Sequence, residues 1–286
     1  MIDKYRNIKT INDIEVALNN ENFIIEFSSE LSFILEKTID PLEDKTYIYD
    51  RDQATIVGLL VKQYKYFNLI VKAFINSEYD TNCLISRPLY EAFVIMKYLI
   101  IKGKESQRHF RLVSYRRRYK QLQELENIKG IGEVMLKKTK HALEIDGFSI
   151  SDLEAEKNKQ GGRKWELDGK NFLEIHKEVE NTETYPYMYG MMSEVIHSGW
   201  GDIRQLHLTW CEGNMAVPNI DFYKNNDIRT IVPILALMIE AIEEFLKWSE
   251  RESENSIHEE HKRVTTLLLQ YIFNNYNENP DKYLYH

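Results

Sequence analysis

Glycine and proline are scarce in this chain, which has 12 Gly and 6 Pro among its 286 residues. Because these residues supply most tight turns, their scarcity argues against a sheet of many short strands and favours long helices. Cysteine is scarcer still: Cys83 and Cys211 are the only two, and no Cys-x-x-Cys motif is present. This argues against a disulfide framework and a zinc knuckle. The composition therefore predicts an all-α protein of a reducing compartment.

Long apolar runs are also missing. The most apolar stretches, 93–101 and 231–239, are too short for a membrane span, which needs about 20 apolar residues. No basic segment followed by an apolar one opens the chain, so no export signal is predicted. We therefore expect a cytoplasmic protein that does not enter the membrane. Its net charge of −8 argues against binding nucleic acid over the whole surface, although a local basic patch is compatible with it.

Apolar residues recur at helical spacing along most of the chain, between residues that cap or end helices. The pattern predicts helices near 10–19, 22–38, 50–76, 80–102, 104–126, 131–145, 168–179, 185–199, 227–250 and 257–275. The polar stretch 151–164 is predicted to be a surface loop. These elements suggest a multi-helix bundle with an N-terminal helical extension (1–49), a bundle core (50–250) and a C-terminal helix and tail (251–286).

Arg87 and Glu91 lie four residues apart in an otherwise apolar helical stretch, so they share one helix face. Burying these charged groups costs free energy unless they pair. A guanidinium held by a carboxylate suits a phosphate or carboxylate ligand. The same pair would also serve to fasten a neighbouring helix, and the sequence leaves both interpretations open.

Tyr189, Ser193 and His197 follow one another at four-residue intervals in a second apolar stretch. At the end of a helix, the negative end of the helix dipole favours a protonated His197, which would act as an acid or a phosphate partner. The alternative is a polar network that only fixes how two helices pack. We expect these three residues to join Arg87 and Glu91 in one polar centre.

The helix predicted near 104–126 has the strongest local charge bias. Its basic residues alternate with tyrosines, an arrangement that suits a phosphate backbone and stacked bases, whereas the alternative is a solvated charged face. The basic residues are Lys104, Arg108, His109, Arg111, Arg116, Arg117, Arg118 and Lys120. Among them, we predict that Arg108, Arg111, Arg116 and Arg117 bind substrate.

The sequence contains only weak matches to known metal-binding motifs. Glu194 and His197 have the Glu-x-x-His spacing of di-iron helical bundles, but a second copy is missing. His258 and His261 lack the spacing of metalloprotease histidines, and the acidic residues around them suggest a water-exposed helix. No GxxxxGK[ST] phosphate loop is present. We therefore predict neither a metal site nor a cofactor.

Three features together resemble a largely bacterial, all-helical family of unknown function, domain of unknown function 5677, over residues 50–200. They are the Arg-x-x-x-Glu helix with Arg87 and Glu91, Trp165 before a short helix, and a Tyr-x-x-x-Ser-x-x-x-His-Ser segment starting at Tyr189. That family is similar to the HEPN helical bundles. Many of these are ribonucleases of toxin, CRISPR and phage-defence systems, and others are partners of nucleotidyltransferases or binding modules.

The HEPN resemblance implies a helical bundle that cleaves RNA without a metal and self-associates as a homodimer. Arg87, Glu91, Ser193 and His197 would then be catalytic, and Tyr189 would contact the substrate. Catalytic HEPN domains carry Arg-x4–6-His, whereas His197 has no Arg upstream at that spacing, so Arg87 must reach it from another helix or subunit. The alternatives are a non-catalytic module that binds a protein partner or a small anionic ligand and, third, a di-iron bundle protein.

Overall fold

The computed structural model describes residues 4–40, 48–125, 130–159, 166–191, 196–197, 200, 203–204, 207–211, 215–219 and 227–278. Its α-helices are α1 (Ile11–Leu18), α2 (Phe23–Ile39), α3 (Gln53–Ile75), α4 (Tyr79–Lys102), α5 (Lys104–Leu125), α6 (Ile131–Ile145), α7 (Ile150–Lys159), α8 (Phe172–Val179), α9 (Val232–Trp248) and α10 (Glu259–Glu278). Pro186–Met191 is π-helical, and Ile228–Thr230 and Glu252–Ile257 are 3-10 turns. The prediction of a mostly helical, multi-helix protein is confirmed in this part of the chain.

Local sequence explains where several helices begin. The Thr10 side chain accepts from the backbone N–H of Asp13, and the Asp13 carboxylate accepts from the N–H of Thr10 at 2.8 Å, which caps α1. Asn171 and Glu174 form the same reciprocal box at the start of α8. The predicted start of that helix, near residue 168, was therefore too early.

The predicted loop at 151–164 is wrong where the structure describes it, since α7 occupies Ile150–Lys159. Ser149 and Asp152 cap this helix, with the Ser149 N–H donating to the Asp152 carboxylate at 2.7 Å and the Asp152 N–H donating to the Ser149 hydroxyl at 3.2 Å. Leu153 is buried and anchors the helix. The polar composition of the stretch concealed this short capped helix.

Two further departures concern the last third of the chain. An antiparallel hairpin, which the sequence did not predict, joins β1 (Leu208–Cys211) to β2 (Met215–Pro218), with Leu208 opposite Pro218. Asp227 caps the 3-10 turn Ile228–Thr230 through the N–H of Arg229, rather than capping the long helix that follows. That helix, α9, has a proline in its first turn, where a missing N–H breaks no helical hydrogen bond.

The chain divides into two compact units. The first unit comprises Met1–Tyr47, Leu59–Phe93 and Pro186–His286, and the second comprises Ile48–Gly58 and Val94–Tyr185. In the first unit, α10 packs on α1 and α9, and α9 packs on α2. In the second, α5 packs on α6 and α7 around the buried side chains of Leu112, Leu143, Phe148 and Leu153. The boundaries predicted at residues 50 and 251 remain a prediction.

The sequence predicted that the chain has no membrane-spanning segment, because its apolar stretches are too short. Among the helices that the structure describes, none has enough of both to cross a membrane.

Candidate functional site

Arg87 lies on α4 directly before Pro88, a proline inside the helix. Because proline has no N–H, the helix loses one hydrogen bond at this point. The Arg87 side chain is 11% exposed, so its charge needs partners within the protein.

Three side chains of the first unit surround the Arg87 guanidinium. Its Nε donates to Glu91 Oε1 at 3.1 Å, one turn further along α4. Its Nη2 donates to the Tyr189 hydroxyl at 2.7 Å, and the guanidinium carbon lies 4.3 Å from the centroid of the Tyr189 ring. Its Nη1 lies 3.3 Å from His197 Nε2. Four of the five residues of the predicted polar centre therefore meet.

Tyr189 lies on the π-helical segment Pro186–Met191, where an ordinary α-helix was predicted. Single π-helical turns are rare and occur frequently at functional sites. The family resemblance implied that Tyr189 contacts the substrate. In the structure its hydroxyl and its ring both contact Arg87, so Tyr189 holds the guanidinium in place.

His197 is the solvent-exposed member of the cluster. A guanidinium can only donate hydrogen bonds, so Nε2 of His197 must accept from Arg87 through its lone pair. This contact requires a neutral imidazole that carries its hydrogen on Nδ1. The expected imidazolium at a helix end does not fit this arrangement, because it would place two cations 3.3 Å apart.

Ser193, the fifth residue of the predicted centre, lies outside the described residues, as do Glu194 and Trp165. Their predicted roles remain predictions. Among the described residues, no group of three or more His, Cys, Asp or Glu side chains is arranged to hold a metal ion.

The predicted substrate-binding arginines belong to the second unit, on α5. Arg111 is 14% exposed and donates to the Asp52 carboxylate at 2.7 Å and to the Arg51 carbonyl at 3.0 Å. The Arg108 guanidinium lies 4.7 Å from the centroid of the Phe148 ring. These two side chains therefore stabilise their own unit. Arg116 is half-buried on the same helix, and the side chain of Arg117 is outside the description.

A second polar cluster, which the sequence did not predict, surrounds Asp168 in the second unit. Ser106 and Tyr98 donate to Asp168 Oδ2 at 2.5 and 3.0 Å, and Nδ1 of His109 lies 2.9 Å from Oδ1. Burial, together with the nearby carboxylate, raises the pKa of Tyr98. Asp168 and Gly169 have φ angles of 53° and 74°, as in a type I′ turn.

This second cluster has a structural role. The hydroxyl of Ser106 donates to a carboxylate rather than to an imidazole, so the described contacts provide no Ser–His pair for nucleophilic catalysis. The carboxylate instead fastens its turn to side chains of α4 and α5. The Asp-Gly dipeptide, a strong signal for a tight turn, is the feature of the sequence that points to it.

The His-Glu-Glu-His segment is not the water-exposed helix that the sequence suggested. His258 and His261 are 0% and 5% exposed. His261 stacks on Phe27 with ring centroids 4.7 Å apart and meets the Tyr5 ring edge-on. Burial lowers the pKa of His261 to about 4, outweighing the attraction of Glu30, whose Oε2 lies 3.9 Å away. His261 is therefore a neutral core residue near pH 7.

Comparison with known proteins connects the Arg87 cluster to a family. A family model described as a family of unknown function (DUF5677) matches residues 53–215, which include Arg87, Glu91, Tyr189 and His197 and make up more than half of the chain. No curated protein and no solved structure matches the chain. The chain therefore belongs to the family of unknown function DUF5677.

Proposed function

We propose that this protein is a HEPN-like, metal-independent ribonuclease of a toxin or phage-defence system, with Arg87 and His197 at its active centre. The observation that carries the proposal is the 3.3 Å approach of Arg87 Nη1 to Nε2 of an exposed His197. A fixed cation next to an exposed imidazole supplies a charge stabiliser and a proton acceptor, the two groups that the proposed cleavage through the 2′-hydroxyl uses.

The proposed reaction divides the work between these two side chains. The 2′-oxygen forms a bond to phosphorus while the bond to the 5′-oxygen breaks, which leaves a 2′,3′-cyclic phosphate and a 5′-hydroxyl. His197 Nε2 takes the 2′-hydroxyl proton, and a solvent water protonates the leaving 5′-oxygen. The imidazolium then returns its proton to the hydroxide that this water leaves behind. Arg87 stabilises the negative charge that develops on the phosphate oxygens. The substrate supplies its own nucleophile, so the reaction needs no metal-bound water.

Glu91 and Tyr189 act as positioning residues in this proposal. Glu91 holds the Nε side of the guanidinium, and Tyr189 holds Nη2 and one face. A cation fixed in this way needs little reorganisation when charge develops on the phosphate, which is the main source of electrostatic catalysis.

The second candidate is a non-catalytic interaction module. It is favoured by the same contacts, because a guanidinium that is 11% exposed and bound by three side chains also ties α4 to the segment that carries Tyr189. The net charge of −8 favours it as well, since an acidic protein attracts RNA weakly. In this case the partner would be a protein or a small anion.

RNA cleavage distinguishes the two. Purified protein is incubated with labelled RNA, and His197→Ala and Arg87→Lys are compared with it after circular dichroism has checked their folding. The ribonuclease predicts a rate loss of about 100-fold or more in both variants. His141→Ala, which changes an exposed histidine on α6, should cleave like the wild type.

Two further arms test the chemistry. An oligonucleotide with a 2′-deoxy residue at the cleaved position should resist cleavage, and a chelator should leave the rate unchanged. No cleavage by the wild type, or equal cleavage by the wild type and His197→Ala, would reject the ribonuclease.

A further inference from the structure

The lone pair that His197 would need as a base is occupied in the structure. Nε2 accepts from Arg87 Nη1 at 3.3 Å, and Nδ1 of the same neutral ring carries the hydrogen. The ring therefore cannot take a proton from a substrate through Nε2 until this contact opens.

The His197 contact is the longest of the three that Arg87 makes with these side chains, at 3.3 Å against 3.1 Å to Glu91 and 2.7 Å to Tyr189. Its acceptor is a neutral nitrogen at an exposed ring, where water competes, whereas Glu91 supplies a carboxylate. The carboxylate of Glu91 adds the attraction of opposite charges to its hydrogen bond, which a neutral imidazole does not. Of these three partners, His197 is therefore the one that Arg87 exchanges most readily.

We propose that a phosphate oxygen displaces His197 from Arg87 and thereby uncovers Nε2. The anion takes the Nη1–H that the imidazole had accepted, while Glu91 and Tyr189 keep the guanidinium in place. The ligand class is the phosphate group of an RNA backbone, so the identity of the substrate rests on the proposed ribonuclease. The exchange itself requires only an oxyanion and is independent of cleavage.

This exchange has a consequence for selectivity. His197 is masked as a base in the free protein and becomes available only beside a bound phosphate. The base therefore becomes available next to the guanidinium only when the anion is bound there. A neutral molecule with a hydroxyl group would not open the contact, since it competes poorly with water for Arg87.

The test is nuclear magnetic resonance of the whole protein with ¹⁵N-labelled histidine. Proton–nitrogen correlations across the imidazole ring distinguish a hydrogen on Nδ1 from one on Nε2, and the His197→Gln variant identifies the His197 signals. In the free protein near pH 7.5, His197 is expected to carry its hydrogen on Nδ1. Adding inorganic phosphate, or an uncleavable 2′-deoxy-substituted oligonucleotide, should shift the His197 nitrogen signals in a saturable way.

Controls separate the exchange from general effects of salt. The exposed His141 should not respond to the same additions, and chloride at matched ionic strength should leave His197 unchanged. In Arg87→Gln, His197 should lose its preference for the Nδ1 hydrogen and its response to phosphate. If Arg87→Gln does not fold, the titration of the wild-type protein with phosphate still tests the inference.

Two results would overturn the inference: a hydrogen on Nε2 of His197 in the free protein, or nitrogen signals that neither probe changes. The outcome is separable from that of the proposed function. RNA cleavage with an unresponsive His197 rejects the exchange and keeps the ribonuclease. A phosphate-responsive His197 without cleavage keeps the exchange and rejects the ribonuclease.

Discussion

Acidification is expected to destabilise the first unit through His261. Burial lowers the pKa of this imidazole from 6.5 to about 4. The unfolded chain therefore binds one more proton than the folded chain between these pH values, so unfolding becomes easier as the pH falls. The stabilisation is complete above pH 6.5 and is lost progressively down to about pH 4. Each pH unit within this window changes the free energy of unfolding by about 1.4 kcal/mol, and the whole window by roughly 3 kcal/mol.

The surroundings of His261 explain the direction. The ring stacks on Phe27 and is shielded from water, which penalises the imidazolium, and nearby His258 and Lys4 oppose its charge. Glu30 favours the charge but does not offset the burial. His176, which lies in the second unit, adds a pH dependence of the same sign there, because burial lowers its pKa as well.

The assay is urea denaturation followed by circular dichroism between pH 5 and 7, for the wild type and for His261→Asn. The variant is expected to be less stable overall, because the Asn side chain packs less well on Phe27. Between pH 5 and 6, however, it should lose about 1 kcal/mol less than the wild type. The control His141→Asn should keep the wild-type pH dependence, since His141 is exposed. Equal pH dependence in the wild type and His261→Asn would refute the burial argument.

Four substitutions test the structure by the same denaturation assay at pH 7. Gly169→Ala should destabilise by about 1–2 kcal/mol, because φ is +74° although the Cβ has open space, whereas Gly58→Ala in α3 should stabilise by about 0.5–1 kcal/mol. A neutral or stabilising Gly169→Ala would contradict the turn. Asn171→Ala should cost about 1 kcal/mol through loss of the α8 cap, and no loss would mean that the box contributes nothing. Phe27→Ala should cost about 3–5 kcal/mol as a fully buried ring, and a loss under 1 kcal/mol would place Phe27 outside the core.

The meeting of Arg87 with His197 could be expected from the sequence because polar groups in apolar helices need partners. Which atoms of the two side chains come into contact could not be predicted from the sequence. Spacing by four placed Tyr189 on the same face as His197, but that rule holds for an α-helix, and Tyr189 lies on a π-helical turn with a different repeat. Spacing therefore placed Tyr189 in the same polar centre as Arg87, but it did not predict that both the hydroxyl and the ring of Tyr189 contact the guanidinium.

The charge run on α5 shows a similar limit. Composition identified Arg108 and Arg111 as basic residues with aromatic neighbours, which suits either a solvated face or a nucleic-acid surface. Arg111 contacts Asp52, and Arg108 lies over Phe148. These partners are distant along the sequence, so no local pattern predicts them.

Helix class and most helix positions were determined by the sequence alone, because capping boxes and apolar periodicity act between residues a few positions apart. Tertiary structure alone decided that Nε2 of His197 meets the guanidinium of Arg87. The two residues are 110 positions apart, and only the packing of their helical segments sets the distance and direction between the guanidinium and Nε2.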